Sequence, residues 1–324
     1  MKNKFKHKSI MLLIILLIVT VLSINIQAKE LNIVCTNTAL EDFTSNLITE
    51  NVTIDYIMPP GVCPAFYDTK PSDIDKVLSA DIIISLGSTS MESWLSNLLT
   101  YNPVVDIIEC KDLGEWNIPT GAKTYVQCIA DKLSVLQPEL NSSIQTNANQ
   151  YLEQIDEKAE ELLEMIETNG ANEKEIICMQ WQEDFLKFLG LEVVYSYGPP
   201  QGLSLQDELE VINAASSNNI YVVIDNLQSG TDFGAKVASE SGASHVIFSN
   251  FPGATPGTDT YLDMITYNTE QLLDGISTYE YKQGDITKLE GQKANLELQR
   301  NASLIVTAIF VILALILFVM YKKK

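Results

Sequence analysis

Residues 138–169 read PELNSSIQTNANQYLEQIDEKAEELLEMIETN. Apolar residues recur at Leu140, Ile144, Ala148, Tyr151/Leu152, Ile155, Ala159, Leu162 and Ile166, steps of three and four that draw one stripe along a helix. Glu153, Asp156, Glu157, Glu160, Glu161, Glu164 and Glu167 fall off that stripe, with Lys158 as the one base among them. Pro138 suits a first helical turn, and Asn169-Gly170 suits a left-handed stop. Some 30 residues at about 1.5 Å each give roughly 45 Å, longer than a small domain is wide. A coiled-coil arm and a strut joining two lobes both fit this pattern. What lies on either side favours the strut.

Upstream, short apolar runs over 31–35, 52–58, 82–86 and 104–108 read as strands, with helices expected over 38–49, 71–80, 91–99 and 122–136. Downstream the alternation repeats: strands over 175–179, 191–195, 221–225 and 245–248, helices over 183–189, 205–217, 230–241 and 259–275. Strands alternating with helices predict parallel sheets covered on both faces. The expected fold class is therefore α/β, two parallel-sheet lobes joined by one long backbone helix, plus a C-terminal transmembrane helix. The expected division is 1–28 signal peptide, 29–137 N-terminal lobe, 138–169 linking helix, 170–279 C-terminal lobe, 280–301 stalk and 302–321 membrane anchor. Ligands of such sheets bind beyond the carboxyl ends of the strands. Those ends carry Cys35-Thr36-Asn37, the loop at Pro59-Pro60-Gly61, Cys178-Met179-Gln180, Asp225-Asn226 and Asn250. A cleft between the lobes is the expected site.

The termini set the compartment. Lys2, Lys4, Lys6 and Lys8 precede an apolar run over 10–26, the pattern of a secretory signal with Ala28 as the cut site, or of an uncleaved N-terminal anchor. Residues 302–320 form a second apolar run, near the ~20 residues that a bilayer needs, followed by Lys322, Lys323 and Lys324. Positive charge stays cytoplasmic, which puts the body outside the cell. Net charge is −21, and removing the four signal lysines leaves −25. Such acidity argues against nucleic acid and anionic membrane surfaces as partners. The chain has no G-x-S-x-G, no P-loop and no H-E-x-x-H, and its two histidines are His7 and His245, so an enzyme is not expected.

Several pieces in order resemble the metal-binding solute-receptor family of ABC importers, the zinc/manganese type built on a single backbone helix. Pro59-Pro60-Gly61-Val62-Cys63-Pro64-Ala65-Phe66-Tyr67 is similar to its P-P-G-x-D-P-H-x-Y loop, and Pro71-Ser72-Asp73 to its following P-S-D. Cys35-Thr36-Asn37, Gly190-Leu191-Glu192-Val193-Val194, Gly242-Ala243 and Tyr261-Leu262-Asp263-Met264 extend the likeness over about residues 30–276. The resemblance implies a substrate-binding component working with a permease and an ATPase, with a transition metal ion as cargo. It also places the family's three histidines and one acid at Ala65, Gly114, Met179 and Asn250, none of which keeps the family residue.

Three substitutes for that ligand set stay open. Cys63, Cys178 and Met179, with Asp225, offer sulfur and a carboxylate to a soft ion, although Cys63 and Cys178 also read as a disulfide or as buried thiols. Alternatively, a metal complex or organic molecule would use the aromatic faces and amides expected around the cleft: Asn37, Ala65, Tyr67, Trp116, Gln180, Trp181 and Asn250, with Phe66 and Tyr197 beside them. A surface adhesin that kept the fold and lost its ligand is the third.

Overall fold

The computed structural model describes residues 30–322, so the expected signal peptide lies outside the described residues. The first sheet is built from β1 (Leu31–Cys35), β2 (Val52–Tyr56), β3 (Ile82–Ser85) and β4 (Asp106–Glu109), in the order β2-β1-β3-β4. Helices α1 (Thr38–Ser45), α2 (Pro71–Ser79), α3 (Leu95–Leu99) and α4 (Pro119–Leu136) connect and cover it. After a single 3-10 turn at Pro138–Leu140 comes the strut, α5 (Asn141–Thr168). The second sheet holds β5 (Glu175–Met179), β6 (Glu192–Tyr197), β7 (Val222–Asn226) and β8 (Ser244–Phe248), in the order β6-β5-β7-β8. Its helices are α6 (Glu183–Phe188), α7 (Leu205–Ser217) and α8 (Asp232–Ser241), and α9 (Tyr261–Lys322) ends the described chain.

All pairings in both sheets are parallel. Strand order reverses at β1/β3 and again at β5/β7, and a sheet of this kind opens a crevice beyond the strand ends at such a point. The two crevices face each other between the lobes.

The strut buries the stripe read from its sequence: Ile144, Ala148, Tyr151, Ile155, Leu162 and Ile166. It packs mainly along α4. One hydrophobic core runs from the first sheet through the strut to Ile176, Cys178, Val222 and Phe248 of the second sheet. A separate core lies on the far face of the second sheet, under α7 and α8, around Ile177, Met179, Val223 and Val237. The shared core is why the lobes cannot swing apart without exposing apolar surface.

Two helices differ from expectation. Residues 91–94 stay irregular and only Leu95–Leu99 is helical, a stretch with no side-chain cap. By contrast α9 is one continuous helix of 62 residues, roughly 93 Å at 1.5 Å per residue, taking in the segment read as a partly helical stalk. No proline occurs after Pro256, and the Lys, Glu and Gln of residues 280–300 are good helix formers. Its first turns are buried against β8 and β7, while the residues from Glu280 to Lys322 are exposed.

Candidate functional site between the lobes

Hydrogen bonds cross between the lobes at several points. Trp116 Nε1 donates to Asn250 O at 2.7 Å, and Asn117 Nδ2 to Trp181 O at 2.7 Å. Gln228 Nε2 donates to Pro60 O at 2.7 Å, and Thr38 Oγ1 to Pro252 O at 2.8 Å. Trp116 also lies on Phe251, with ring centroids 5.4 Å apart. Between these contacts is a cavity of about 210 Å³. The first lobe contributes Cys63, Ala65, Phe66, Met91, Glu115 and Trp116 to its wall, and the second Trp181, Asn250 and Phe251.

Local sequence explains how each wall is held. Pro59-Pro60 and Pro64 stiffen the loop after β2, which ends in a 3-10 turn at Pro64–Phe66 and leaves Phe66 67% exposed at the rim. Glu115 and Trp116 sit just before α4, whose first turn carries Gly121; a Cβ there would meet Glu115 O at 1.9 Å. Gly114, at φ +82°, turns the chain into this segment, and its carbonyl accepts a 3.0 Å bond from Tyr125 Oη. Trp181 rides on the 3-10 turn Gln180–Gln182 that follows β5.

Beneath the cavity lies a cluster of amides. Asn250 Oδ1 accepts from Gln182 Nε2 at 3.0 Å and from Asn117 Nδ2 at 3.5 Å. The bond from Asn117 Nδ2 to the Trp181 carbonyl identifies that atom as nitrogen, which in turn assigns the oxygen of Asn250. The oxygen of Asn250, the atom a cation would need, is therefore engaged, and Nδ2 is what the side chain has left to offer. Gln228 Oε1 accepts from Asn250 N and Asn226 Nδ2, so that amide is occupied as well. Asn117 Oδ1 and Gln182 Oε1 are buried acceptors without a partner among the described residues.

The other expected site residues are placed as follows. Cys63 is half-buried on the cavity wall. Cys178 and Met179 alternate to opposite faces of β5 and are wholly buried, one in each core, with burial pushing the Cys178 thiol well up. Asp225 is wholly buried on the far side of the sheet, accepting from Tyr197 Oη at 2.5 Å and paired with His245 Nε2 at 2.8 Å. The structure thus does not bring Cys63, Cys178, Met179 and Asp225 together, and no group of three or more His, Cys, Asp and Glu suited to a metal ion occurs among the described residues. All five cysteines are free thiols, so Cys63 and Cys178 form no disulfide.

Among the aromatic and amide candidates, Ala65, Trp116, Trp181 and Asn250 line the cavity and Asn37, Tyr67 and Gln180 do not. Asn37 is a helix cap, its Oδ1 accepting from Ala39 N and Leu40 N at 3.0 and 3.1 Å. Tyr67 is buried under its loop, donating to Asp73 Oδ2 at 2.8 Å. Gln180 is exposed to solvent. Sequence reasoning missed Glu115, Met91 and Phe251; Glu115 carried a signal, being the acid next to Trp116, but nothing local ties Met91 or Phe251 to the cleft.

Comparison with known proteins matches this architecture. The family described as "ZnuA: Zinc-uptake complex component A periplasmic" matches residues 33–275. The manganese-binding lipoprotein MntA of Halalkalibacterium halodurans is 23% identical over 274 residues, covering 77% of this chain and 89% of the relative. The manganese ABC transporter substrate-binding lipoprotein PsaA of Streptococcus anginosus is 22% identical over 287 residues, covering 77% of this chain and 90% of the relative. Among solved structures, a periplasmic metal binding protein from Candidatus Liberibacter asiaticus superposes with a TM-score of 0.67 at 19% identity, over 76% of this chain and 99% of that one. That likeness is one of fold. The family match spans both sheets and the strut, and by it the chain belongs to the ZnuA family, the solute-binding proteins of ABC importers, and is not an enzyme.

Proposed function

We propose that the chain is the extracellular substrate-binding component of an ABC importer whose cargo is a metal complex or small organic molecule rather than a bare ion. It would hand that cargo to a permease and ATPase pair, tethered by residues 302–321 of α9 as a membrane anchor. Relatives named for manganese and zinc support a transition-metal lineage for the transporter. The observation that carries the cargo assignment is the cavity itself. Its wall is mostly aromatic and aliphatic, its one thiol and one carboxylate are Cys63 and Glu115, and the oxygen of Asn250 is spent on Gln182 and Asn117. Zinc favours thiolate, imidazole and carboxylate donors, about four in a closed shell; this wall offers one thiol and one carboxylate, and its other polar groups are the amides and hydroxyls of Ser90, Asn226, Gln228, Ser229 and Asn250. Apolar faces with a few fixed polar groups are what a molecule of modest size needs.

The test is to purify the full chain in detergent without added metal, measure its metal content, and record native and denaturing mass spectra. The expected result is no stoichiometric zinc or manganese as free ion and a small molecule released on denaturation. One tightly held zinc or manganese ion per chain, with no other ligand, would overturn the cargo assignment. The anchor is tested separately: protease added to intact cells should release a fragment carrying residues 30–280, and a protected body would refute it.

A further inference from the structure

The cavity wall contains no Lys, Arg or His among the described residues. Its one carboxylate, Glu115, is half-buried, and no ion pair or hydrogen bond engages that carboxylate among the described residues. The backbone of Glu115 is clamped by Gly121 and the Tyr125–Gly114 contact, so the charge is presented at a set place. Two aromatic side chains reach the cavity without a ring partner among the described residues, although Trp181 also packs against the second core. Trp181 is half-buried with its Nε1 in no hydrogen bond among the described residues, and Phe66 stands out at the rim. Trp116 differs, since its Nε1 is tied to Asn250 O and its ring lies on Phe251.

Resting on the assignment of the cleft to an organic molecule or complex, we propose that its cargo is an organic cation of the amine or quaternary ammonium class, with Glu115 as counter-ion and Trp181 and Phe66 as cation–π faces. Such a cation needs what this wall has, aromatic faces and one opposite charge, and needs no ring of lone pairs. An anion would meet Glu115 with no base on the wall to compensate. Burial, then Asp184, raises the Glu115 carboxyl above its usual range, a penalty that a bound cation relieves. The acidic chain as a whole, at −21, attracts cations toward the cleft.

The experiment is calorimetric titration of the full chain in detergent with tetramethylammonium, choline and benzyltrimethylammonium. Controls are 3,3-dimethylbutan-1-ol, the uncharged isostere of choline, and zinc sulfate. At least one ammonium probe should saturate one site, and the uncharged isostere should bind about tenfold more weakly or worse than choline. Glu115→Gln and Trp181→Ala should each weaken the best ammonium probe by about tenfold. Glu115→Gln should melt no lower than the parent when unliganded, because it removes a half-buried unpartnered charge, which separates loss of binding from loss of fold. Equal binding of choline and its isostere, indifference to Glu115→Gln, or binding of none of the ammonium probes overturns the cation proposal while leaving the organic cleft standing. Stoichiometric zinc binding with no ammonium binding overturns both.

Discussion

Asp42 ties together the parts that any closing motion would have to separate. It lies on α1, its Oδ2 accepts from Tyr151 Oη on the strut at 2.7 Å, and a backbone bond from Tyr261 at the start of α9 reaches it as well. Only 6% of it is exposed, and burial pushes its carboxyl up to about 6 in spite of both bonds. An unfolded aspartate titrates near 3.9. Between about pH 4 and pH 6 the folded chain therefore keeps a proton that the unfolded chain has released, and stability falls as pH rises through that window. At about 1.4 kcal/mol per unit the burial penalty at pH 7 is of order 1–3 kcal/mol. Asparagine has no charge to desolvate and its oxygen can still accept from Tyr151, but its nitrogen cannot accept the Tyr261 backbone bond, an offset of about 1 kcal/mol at either pH. Relative to the parent, Asp42→Asn should thus be more favourable at pH 7 than at pH 4 by about 1–3 kcal/mol. Tyr151→Phe should cost about 1.5–3 kcal/mol at pH 7, where the acceptor is ionised, and about half that at pH 4, where it is neutral. Urea unfolding of the full chain in detergent, followed by tryptophan fluorescence at both pH values, reads these differences. An Asp42→Asn variant that compares less well with the parent at pH 7 than at pH 4, or a difference that ignores pH, would refute the reasoning, because the ionised carboxylate would then carry no burial penalty.

Other consequences follow from particular contacts. A Cβ at Gly234 would lie 2.2 Å from Asp225 Oδ2 and 2.5 Å from its Cγ, and Tyr197 and His245 hold that carboxylate in place, so Gly234→Ala should cost about 2–4 kcal/mol in urea unfolding; a loss below about 1 kcal/mol would mean that the carboxylate moves freely. The Cys110 thiol, and Lys132 after it, draw the Cys128 thiol down at the expense of Cys110, while burial pushes Cys35 and Cys178 up. Iodoacetamide should therefore label Cys128 at a pH below that at which an ordinary thiol reacts and leave Cys35 and Cys178 unmodified in the folded protein, as peptide mapping would show; labelling of Cys128 that rises only above about pH 8 contradicts this. Because one core runs through both lobes and the strut, X-ray scattering of the detergent-solubilised chain should change little when the cleft ligand is added, and a marked compaction would rule out a rigid strut.

Much of the framework was legible in the sequence because it rests on local periodicity. The stripe from Ile144 to Ile166 is what the strut buries, and each alternating apolar run lies at a strand, since side-chain period depends only on backbone geometry. Helix ends shifted where no local signal acts: residues 91–94 have no cap, and α9 continues through its polar segment because that segment holds no proline and its Gly284 and Gly291 weaken a helix without ending it. The site was legible only in part. Trp116, Trp181, Ala65 and Asn250 could be placed on the cleft from their loops, and a count of histidines was enough to question the family's ligand set. Which face of β5 carries Cys178, whether Asn37 caps a helix or meets a ligand, and that Asn250 spends its oxygen on Asn117 and Gln182 were decided by tertiary structure alone. Those facts depend on partners as far as 133 residues away in the chain, and hydrogen-bond assignment among amides is a property of the assembled network rather than of any one residue.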